Sequence, residues 1–461
     1  MTLRRTIWLA SVTAICAVAF VGYFVDRALR VATGLIAHDV CAKAFVSGFD
    51  PQTVFAETMM RPEIGRLRSV SRHEVDWSMR TVSASMMGWA GSRAAFHDGL
   101  GCIILRGPAD PRLPKAEIAR LKAVQDQSVI ADSGGPSVIE PSNVNLKRAL
   151  DNAFAEPSAP PYRRTKAVVV LLDGQIVAER YATGVGIDTP LLGFSLTKSV
   201  VSAMIGILVR QGRLAPSQAA PIAEWQDEGN PRRLITIEQL LRMTSGLRDD
   251  GRLGFDASSQ MLYLHQDMAK FAASAAVIAA PGTRWAYSSL NTQLLARIIR
   301  DSVGGPEKTL EFAWHELFNP LGMQNVIVEF DGSGTLQGSS YMFASARDWA
   351  RFGLLYLNDG MIGSRRILPE GWVEFSAQPT LDTGYGAGFW TSRGNRERAE
   401  NPLSATTPPD AFYGLGNLGQ IVVILPSHRL VIVRLGDSVD VTVEMRGLTQ
   451  LINEIIAGIN H

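Results

Sequence analysis

The strongest local signal in the chain is the segment Phe194-Ser195-Leu196-Thr197-Lys198. It opens a run over 195–210 with apolar residues on nearly every side, which predicts a buried helix. Ser195 and Lys198 are three positions apart and would share one helix face, so the hydroxyl and the amine can meet. Burial lowers the pKa of a lysine, which can then take the proton of the serine nucleophile. The alternative interpretation is a helix-capping serine beside a surface lysine.

A second short segment, Trp285-Ala286-Tyr287-Ser288-Ser289, precedes another predicted helix. A tyrosine at a cleft can relay protons between a serine, a lysine and a leaving group. On its own, this segment is more typical of a tyrosine that packs in the core.

Predicted strands enclose the predicted helices in the later part of the chain. The strands 167–172 and 175–181 are joined at Asp173-Gly174, which is a strong hairpin signal. A second hairpin is predicted from 420–425 and 430–435. The further predicted helices are 235–243, 292–301, 348–357 and 441–457. This order predicts an α+β fold in which helices flank one antiparallel sheet and form an inserted helical subdomain.

The motifs resemble a known family when they are taken in order. Ser195-x-x-Lys198, Tyr287-Ser288-Ser289 and the glycine-rich start of a strand at 414–420 are similar to motifs of the penicillin-recognising serine hydrolases. That superfamily includes class C β-lactamases, DD-peptidases, esterases and 6-aminohexanoate-dimer hydrolases. Segments 235–247, 350–355 and 367–372 resemble the same family. The resemblance implies a β-lactamase/transpeptidase-like serine hydrolase domain over 163–461.

The resemblance also implies roles for individual residues. Ser195 would be the nucleophile that is acylated, Lys198 its base and Tyr287 the proton relay to the leaving group. The oxyanion hole would use the backbone N–H groups of Ser195 and Leu415. The residues that would contact the substrate are Ser289, Tyr413 and Gly414.

Two departures from the family pattern narrow the expected substrate. The tyrosine motif usually ends in Asn but ends here in Ser289. The third motif usually reads Lys or His, Thr or Ser, then Gly, whereas Phe412-Tyr413-Gly414 stands here. Phe412 removes the cation that would bind a substrate carboxylate, so we expect a neutral ester or amide substrate, as in the dimer-hydrolase branch. The alternatives are a DD-peptidase or β-lactamase and, outside the enzymes, a non-catalytic ligand-binding sensor.

The N-terminus carries an uncharged stretch over 7–25 between Arg4-Arg5 and Asp26. As a helix this stretch would span about 28 Å, close to the roughly 30 Å of a bilayer's hydrocarbon core. We therefore expect a membrane anchor over 1–30 that contacts inner-membrane lipid as a single span, with the catalytic domain exported to the periplasm. A signal peptide cleaved after Ala17-Val18-Ala19 is the alternative, although the length of the run favours the anchor.

Cys41 and Cys102 lie in a predicted small N-terminal region over 31–130. Outside the cytoplasm they are candidates for a disulfide, and two buried free thiols are the alternative. The Pro, Gly and Ser residues of 131–162 predict a linker or surface wrap. From their position alone, residues 31–160 are expected to cover the cleft or to tether the enzyme above the membrane.

The composition excludes several classes of function. Lys and Arg total 45 against 44 Asp and Glu in 461 residues, so no overall charge favours nucleic acid as a partner. The seven histidines form no cluster, and we expect no metal. The glycines of 414–419 match a dinucleotide fingerprint but lead into a strand, so no cofactor is expected.

Overall fold

The computed structural model describes residues 2–106, 112–115, 118–122, 135–249, 256–393 and 403–459. Its strands, in chain order, are β1 (Ser71–Asp76), β2 (Thr81–Met86), β3 (Ala90–His97), β4 (Gly101–Ile104), β5 (Thr165–Leu172), β6 (Gln175–Tyr181), β7 (Leu191–Leu192), β8 (Val326–Val328), β9 (Met342–Ala344), β10 (Met361–Ile362), β11 (Arg365–Arg366), β12 (Trp390–Thr391), β13 (Phe412–Gly416), β14 (Gln420–Leu425) and β15 (Leu430–Gly436). Its helices are α1 (Thr2–Phe45), α2 (Pro51–Thr58), α3 (Ile118–Lys122), α4 (Val144–Phe154), α5 (Leu196–Arg210), α6 (Ile237–Leu241), α7 (Ala257–Leu264), α8 (Met268–Ala273), α9 (Ser289–Val303), α10 (Pro306–Ala313), α11 (Ala346–Leu357), α12 (Trp372–Ala377), α13 (Leu403–Thr406) and α14 (Val441–Ile459).

An antiparallel sheet in the order β12-β13-β14-β15-β5-β6 forms the centre of the molecule. Both predicted hairpins are present, as β5–β6 and β14–β15. Asp173 and Gly174 have φ values of 50° and 81°, the left-handed conformation that a two-residue hairpin turn requires. β15 pairs with β5, so strands from the two ends of this region meet inside one sheet.

Helices cover both faces of this sheet, which confirms the α+β prediction. On one face, α5, α9 and α11 share an apolar core with the strands, and α5 is buried on nearly every side. On the other face, α4 and α14 pack against side chains that include Ile421 and Val423. α6 to α10 form the inserted helical layer, and local caps define their ends, such as the Ser288 side chain that accepts from Leu290 N–H.

The N-terminal part consists of α1, α2 and a sheet in the order β1-β2-β3-β4. The predicted disulfide Cys41–Cys102 is present and joins α1 to β4 across a sequence separation of 61 residues. The core of this part includes Phe194, Tyr341 and Leu418, which belong to the region of the large sheet. The N-terminal part is therefore packed directly against the turn that precedes Ser195.

The predicted membrane anchor over 1–30 is wrong. Among the residues that the structure describes, no helix combines the length and the apolarity that a membrane crossing requires. The stretch that was expected to end at Asp26 continues in α1 as far as Phe45, and its later half packs against protein. The predicted inner-membrane location with a single span is wrong for the same reason. The predicted lipid contact depended on the anchor and has no support.

The domain boundaries at 30/31, 130/131 and 162/163 stay predictions. α1 runs across residue 30 without a break. Within the predicted linker over 131–162, residues 131–134 lie outside the described residues, while α4 contributes Leu146 and Leu150 to the core beneath the large sheet.

Candidate active site

Ser195 lies at the N-terminal end of α5, in a turn that neighbouring side chains hold tightly. A Cβ on Gly193 would clash with the ring of Trp349. Phe194 has a φ of 45°, a left-handed conformation that costs a residue of its type about 1–3 kcal/mol. Its ring is buried, and the guanidinium carbon of Arg61 lies 5.6 Å from the ring centroid. Packing therefore keeps the backbone before Ser195 in a conformation that it would not adopt alone.

Lys198 lies one helical turn after Ser195, and its side chain is only 3% exposed. Its Nζ donates to Ser195 Oγ at 3.0 Å and to the Ser339 carbonyl at 2.7 Å, with Ser289 Oγ at 3.4 Å. Desolvation lowers the pKa of Lys198 to about 7, although the carboxylate of Asp249 opposes the fall. A large fraction of Lys198 is therefore neutral near pH 7 and able to accept a proton from Ser195.

Tyr287 is the third predicted site residue, and the structure places it beside the other two. Lys198 Nζ lies 5.0 Å from the centroid of its ring. Desolvation raises the pKa of Tyr287 to about 12, and a hydrogen bond with Ser195 limits the rise. The side chain is also 37% exposed, so part of it borders solvent. At neutral pH Tyr287 is therefore protonated and can donate a proton, whereas the lowered pKa of Lys198 lets that group accept one.

Three further aromatic rings surround Tyr287, and the sequence analysis did not identify them as site residues. Trp390 of β12 stacks on Tyr287 with ring centroids 5.7 Å apart. Tyr385 meets it edge-on at 5.8 Å, and Trp285 lies 6.5 Å away. These rings restrict the orientation of Tyr287. Trp285 stands two residues before Tyr287 in the same short segment, whereas no local pattern signals Tyr385 and Trp390, which lie about a hundred residues later in the chain.

The strand β13 runs close beside the start of α5. A Cβ on Gly414 would lie 3.0 Å from Leu196 Cδ2, and a Cβ on Gly416 would clash with the Gly193 carbonyl. The two glycines thus permit an approach that brings Leu415, between them, next to the turn of Ser195. This position supports the predicted oxyanion hole, whose donors stay a prediction.

Side chains along β13 point alternately to the two faces of the sheet, and this decides whether the predicted contact residue Tyr413 faces Ser195. Phe412 belongs to the core on the α5 side of the sheet. Tyr413 is fully buried on the other side, with Ile421 and Val423, because successive side chains of a strand point to opposite faces. The structure therefore does not bring the Tyr413 side chain to Ser195. It does bring Ser289 there, through its contact with Lys198.

Asp249 is a further residue that the sequence analysis missed. It accepts from Ser258 N–H at 3.0 Å, and Ser258 Oγ accepts from Ser289 N–H at 3.3 Å. Burial raises the pKa of Asp249, and hydrogen bonds from Ser288 and Ser258 oppose the rise. Asp249 thus supports the start of α9 and acts electrostatically on Lys198. It stands shortly after the family-like segment 235–247 but carries no signal of its own.

Two cavities border these residues. The larger, about 640 Å³, includes Ser195 in its lining together with residues of α1 and α7. The smaller, about 200 Å³, is lined in part by Tyr287, Asp249 and Arg284. The larger volume is typical of a small-molecule site. Within the described part of the chain, no group of three or more His, Cys, Asp or Glu side chains could hold a metal ion.

The arrangement of Ser195, Lys198 and Tyr287 on this fold agrees with a match to a known protein family. Residues 150–455, more than half of the chain, match the family described as Beta-lactamase. The chain belongs to the beta-lactamase family. Membership of this family is consistent with a serine hydrolase.

Individual relatives are distant. The chain is 26% identical over 247 residues to the 6-aminohexanoate-dimer hydrolase of Paenarthrobacter ureafaciens, a match that covers 49% of this chain and 61% of that protein. Among solved structures, a proposed 6-aminohexanoate-dimer hydrolase from Bacillus anthracis has a TM-score of 0.56 at 22% identity, covering 76% of this chain and 97% of its own. A penicillin-binding protein homologue from Caulobacter crescentus has a TM-score of 0.55 at 17% identity, with 70% and 99% covered. These two likenesses show the fold.

Proposed function

We propose that this beta-lactamase-family protein hydrolyses a neutral ester or amide through an acyl-enzyme on Ser195. The observation that carries the proposal is the 3.0 Å contact between Lys198 Nζ and Ser195 Oγ, together with the lowered pKa of that buried lysine. A neutral lysine at this distance can take the serine proton as the hydroxyl attacks a carbonyl carbon. The relation to a 6-aminohexanoate-dimer hydrolase supports an amide or ester as the substrate.

The proposed reaction has two halves. In acylation, Ser195 Oγ bonds to the carbonyl carbon while its proton passes to Lys198 Nζ. The tetrahedral oxyanion would bind to the N–H groups of Ser195 and Leu415, and each such donor is typically worth about 3 kcal/mol. The leaving group departs with a proton from Tyr287, which Lys198 replaces. In deacylation, water attacks the ester, and the same groups move the protons in reverse.

The charges near the site support a neutral substrate. Phe412 is fully buried and supplies no cation at the third motif. The carboxylates of Glu63 and Asp256 line the cavity that contains Ser195, together with Glu444, whose pKa burial raises to about 7. Arg61 also lines it, but its guanidinium is paired with Asp39 at 2.7 Å. An anionic acyl group in this cavity would meet mostly negative charge.

A second candidate function is hydrolysis of an anionic amide, as in a β-lactamase or DD-peptidase. Arg284 is the observation that favours it. This side chain is exposed and lines the smaller cavity beside Tyr287, where it could pair with a carboxylate of the leaving group. We propose a neutral substrate ahead of an anionic one for two reasons. Arg284 lies on the side of the leaving group, and it shares its cavity with the carboxyl group of Asp249.

We also propose that the enzyme is exported, a proposal supported by the Cys41–Cys102 disulfide. Disulfides persist in oxidising environments and are rare where thiols are kept reduced. Mass analysis of the protein after alkylation, with and without prior reduction, tests this: native protein from its own cells should carry a label on Cys16 without reduction and gain two more, on Cys41 and Cys102, only after reduction. Labelling of Cys41 and Cys102 without reduction would contradict export.

The test of the proposed function is intact-mass analysis of the full chain mixed with a p-nitrophenyl ester, with release of nitrophenolate followed in parallel. We expect an acyl adduct on Ser195 and continued turnover, both absent in Ser195→Ala. The same experiment with benzylpenicillin, in the native protein and in Arg284→Ala, distinguishes the second candidate. If folded protein gives no adduct and no nitrophenolate release, the proposed enzymatic function is refuted and a ligand-binding sensor is favoured.

A further inference from the structure

The larger cavity is lined both by residues that match the family and by residues of the N-terminal part, which lies outside the match. Ser195 lies within residues 150–455, which match the beta-lactamase family, whereas one wall of the cavity comes from α1 and from the turn after α2. The α1 residues of this wall are Val31, Ala32 and Leu35, whose spacing places them on one helix face. The N-terminal part is therefore a component of the pocket that contains the nucleophile.

The lining of this pocket is partly apolar. Polar and charged side chains such as Glu63 and Asp256 also line it, and its apolar side chains, from both parts of the chain, are Val31, Ala32, Leu35, Pro62, Ile64, Phe194, Leu262, Leu418, Val439 and Val441. The apolar part of the surface gains free energy from each methylene group that it removes from water. The volume of about 640 Å³ exceeds what an acetyl group needs and suits a longer chain.

Strong contacts hold the α1 wall in place relative to Ser195. The Cys41–Cys102 disulfide ties α1 to β4 shortly after Leu35, and Cys102 N–H in turn donates to Glu329 Oε1 at 2.7 Å, in the part of the chain that contains Ser195. Buried ion pairs add to this: Lys43 Nζ lies 2.7 Å from an oxygen of Asp437, next to β15. A wall fixed by covalent and ionic contacts can distinguish ligands by length, because it cannot withdraw to admit a longer one.

We propose that α1 is a specificity-determining element: Val31, Ala32 and Leu35 bind a linear apolar acyl chain of the substrate and set its preferred length. This inference rests on the proposed acyl-enzyme function of Ser195. It assigns a substrate class, esters or amides of medium-chain fatty acids, to the same site. It also gives the N-terminal part a role in binding rather than in attachment.

The test compares p-nitrophenyl acetate, butyrate and octanoate with the full-length protein. For the native enzyme we expect kcat/KM to rise from acetate to octanoate, at first by as much as about fourfold per added methylene. In Leu35→Trp the larger ring occupies the pocket, so the octanoate-to-acetate ratio of kcat/KM should fall by at least about tenfold. Ala32→Leu, a smaller change in the same wall, should lower the ratio in the same direction.

Ile36→Val is the matched control, because Ile36 is buried on the same helix but does not line the cavity. It loosens α1 packing slightly and should leave the octanoate-to-acetate ratio unchanged. The inference is overturned if the native enzyme shows no preference for longer chains, or if both wall variants, shown by their melting temperatures to be folded, keep the native ratio. Failure of the proposed function is a different result: no acylation of Ser195 by any of the three esters, acetate included.

Discussion

The pH dependence of turnover tests the assignment of Lys198 as the base most directly. Its pKa of about 7 predicts that kcat/KM for a neutral ester follows the neutral fraction of this lysine. That fraction is about 0.09 at pH 6 and about 0.9 at pH 8, so kcat/KM should rise about tenfold between these values and then reach a plateau. Tyr287, with its pKa raised to about 12, should contribute no inflection over this range.

The assay measures initial rates with p-nitrophenyl butyrate from pH 5.5 to 10 at constant ionic strength. Absorbance is read at a wavelength where nitrophenol and nitrophenolate absorb equally, and the rate with Ser195→Ala is subtracted at each pH. Because kcat/KM reports the ionisation of the free enzyme, the inflection belongs to unliganded Lys198.

One outcome would refute this reasoning: a kcat/KM that keeps rising about tenfold per pH unit from 8 to 10. Such a profile would indicate a base with a pKa far above 7, as expected if Tyr287 carried that role. Asp249→Asn provides a second check of the cause. The Asp249 carboxylate raises the pKa of Lys198, so removing its charge should move the inflection to lower pH. A shift to higher pH would contradict the electrostatic assignment.

The remaining predictions concern stability and the shape of the site. Lys198→Met should abolish turnover yet stabilise the fold, because folding lowers the pKa of this lysine from 10.5 to about 7. In chemical denaturation, the increase in unfolding free energy caused by the substitution should be about 2 kcal/mol greater at pH 7 than at pH 9. Gly416→Ala should lower the melting temperature and the rate together, since its Cβ would clash with the backbone before the nucleophile; an unchanged kcat would count against the close approach of β13. Removing the disulfide by Cys41→Ser should cost about 4 kcal/mol of unfolding free energy for its loop, and equal stability with and without reductant would contradict this. Trp390→Ala removes the ring stacked on Tyr287 and should lower kcat more than it raises KM; unchanged kinetics would show that the stack has no positioning role.

Local signals in the sequence predicted most of the secondary structure around the site. The Asp173-Gly174 turn identified the first hairpin because two adjacent residues there must adopt positive φ values. The continuous apolar run after Ser195 identified α5 as a buried helix. The disulfide between Cys41 and Cys102 was also predicted, although their spacing alone left two free thiols open.

The prediction of a membrane anchor was wrong because it used only local properties of the sequence. Length and lack of charge over 7–25 are properties of a segment, and they say nothing about what surrounds it. α1 instead continues as one helix to Phe45, where its later turns pack against β3 and α7. Gly34 permits that packing, because a Cβ there would lie 2.9 Å from the Cβ of Tyr263. The contact joins residues far apart in the chain, which hydropathy cannot detect.

The pairing of Ser195 with Lys198 follows from the sequence alone, since residues three apart on a helix share a face whatever the rest of the chain does. The surroundings of that pair depend on tertiary packing, which brings in the aromatic rings around Tyr287, the carboxyl group of Asp249 near Lys198, and the α1 wall of the cavity. The reason is physical. Helical geometry relates residues within a turn or two, whereas the burial that lowers the pKa of Lys198 requires the complete packed core.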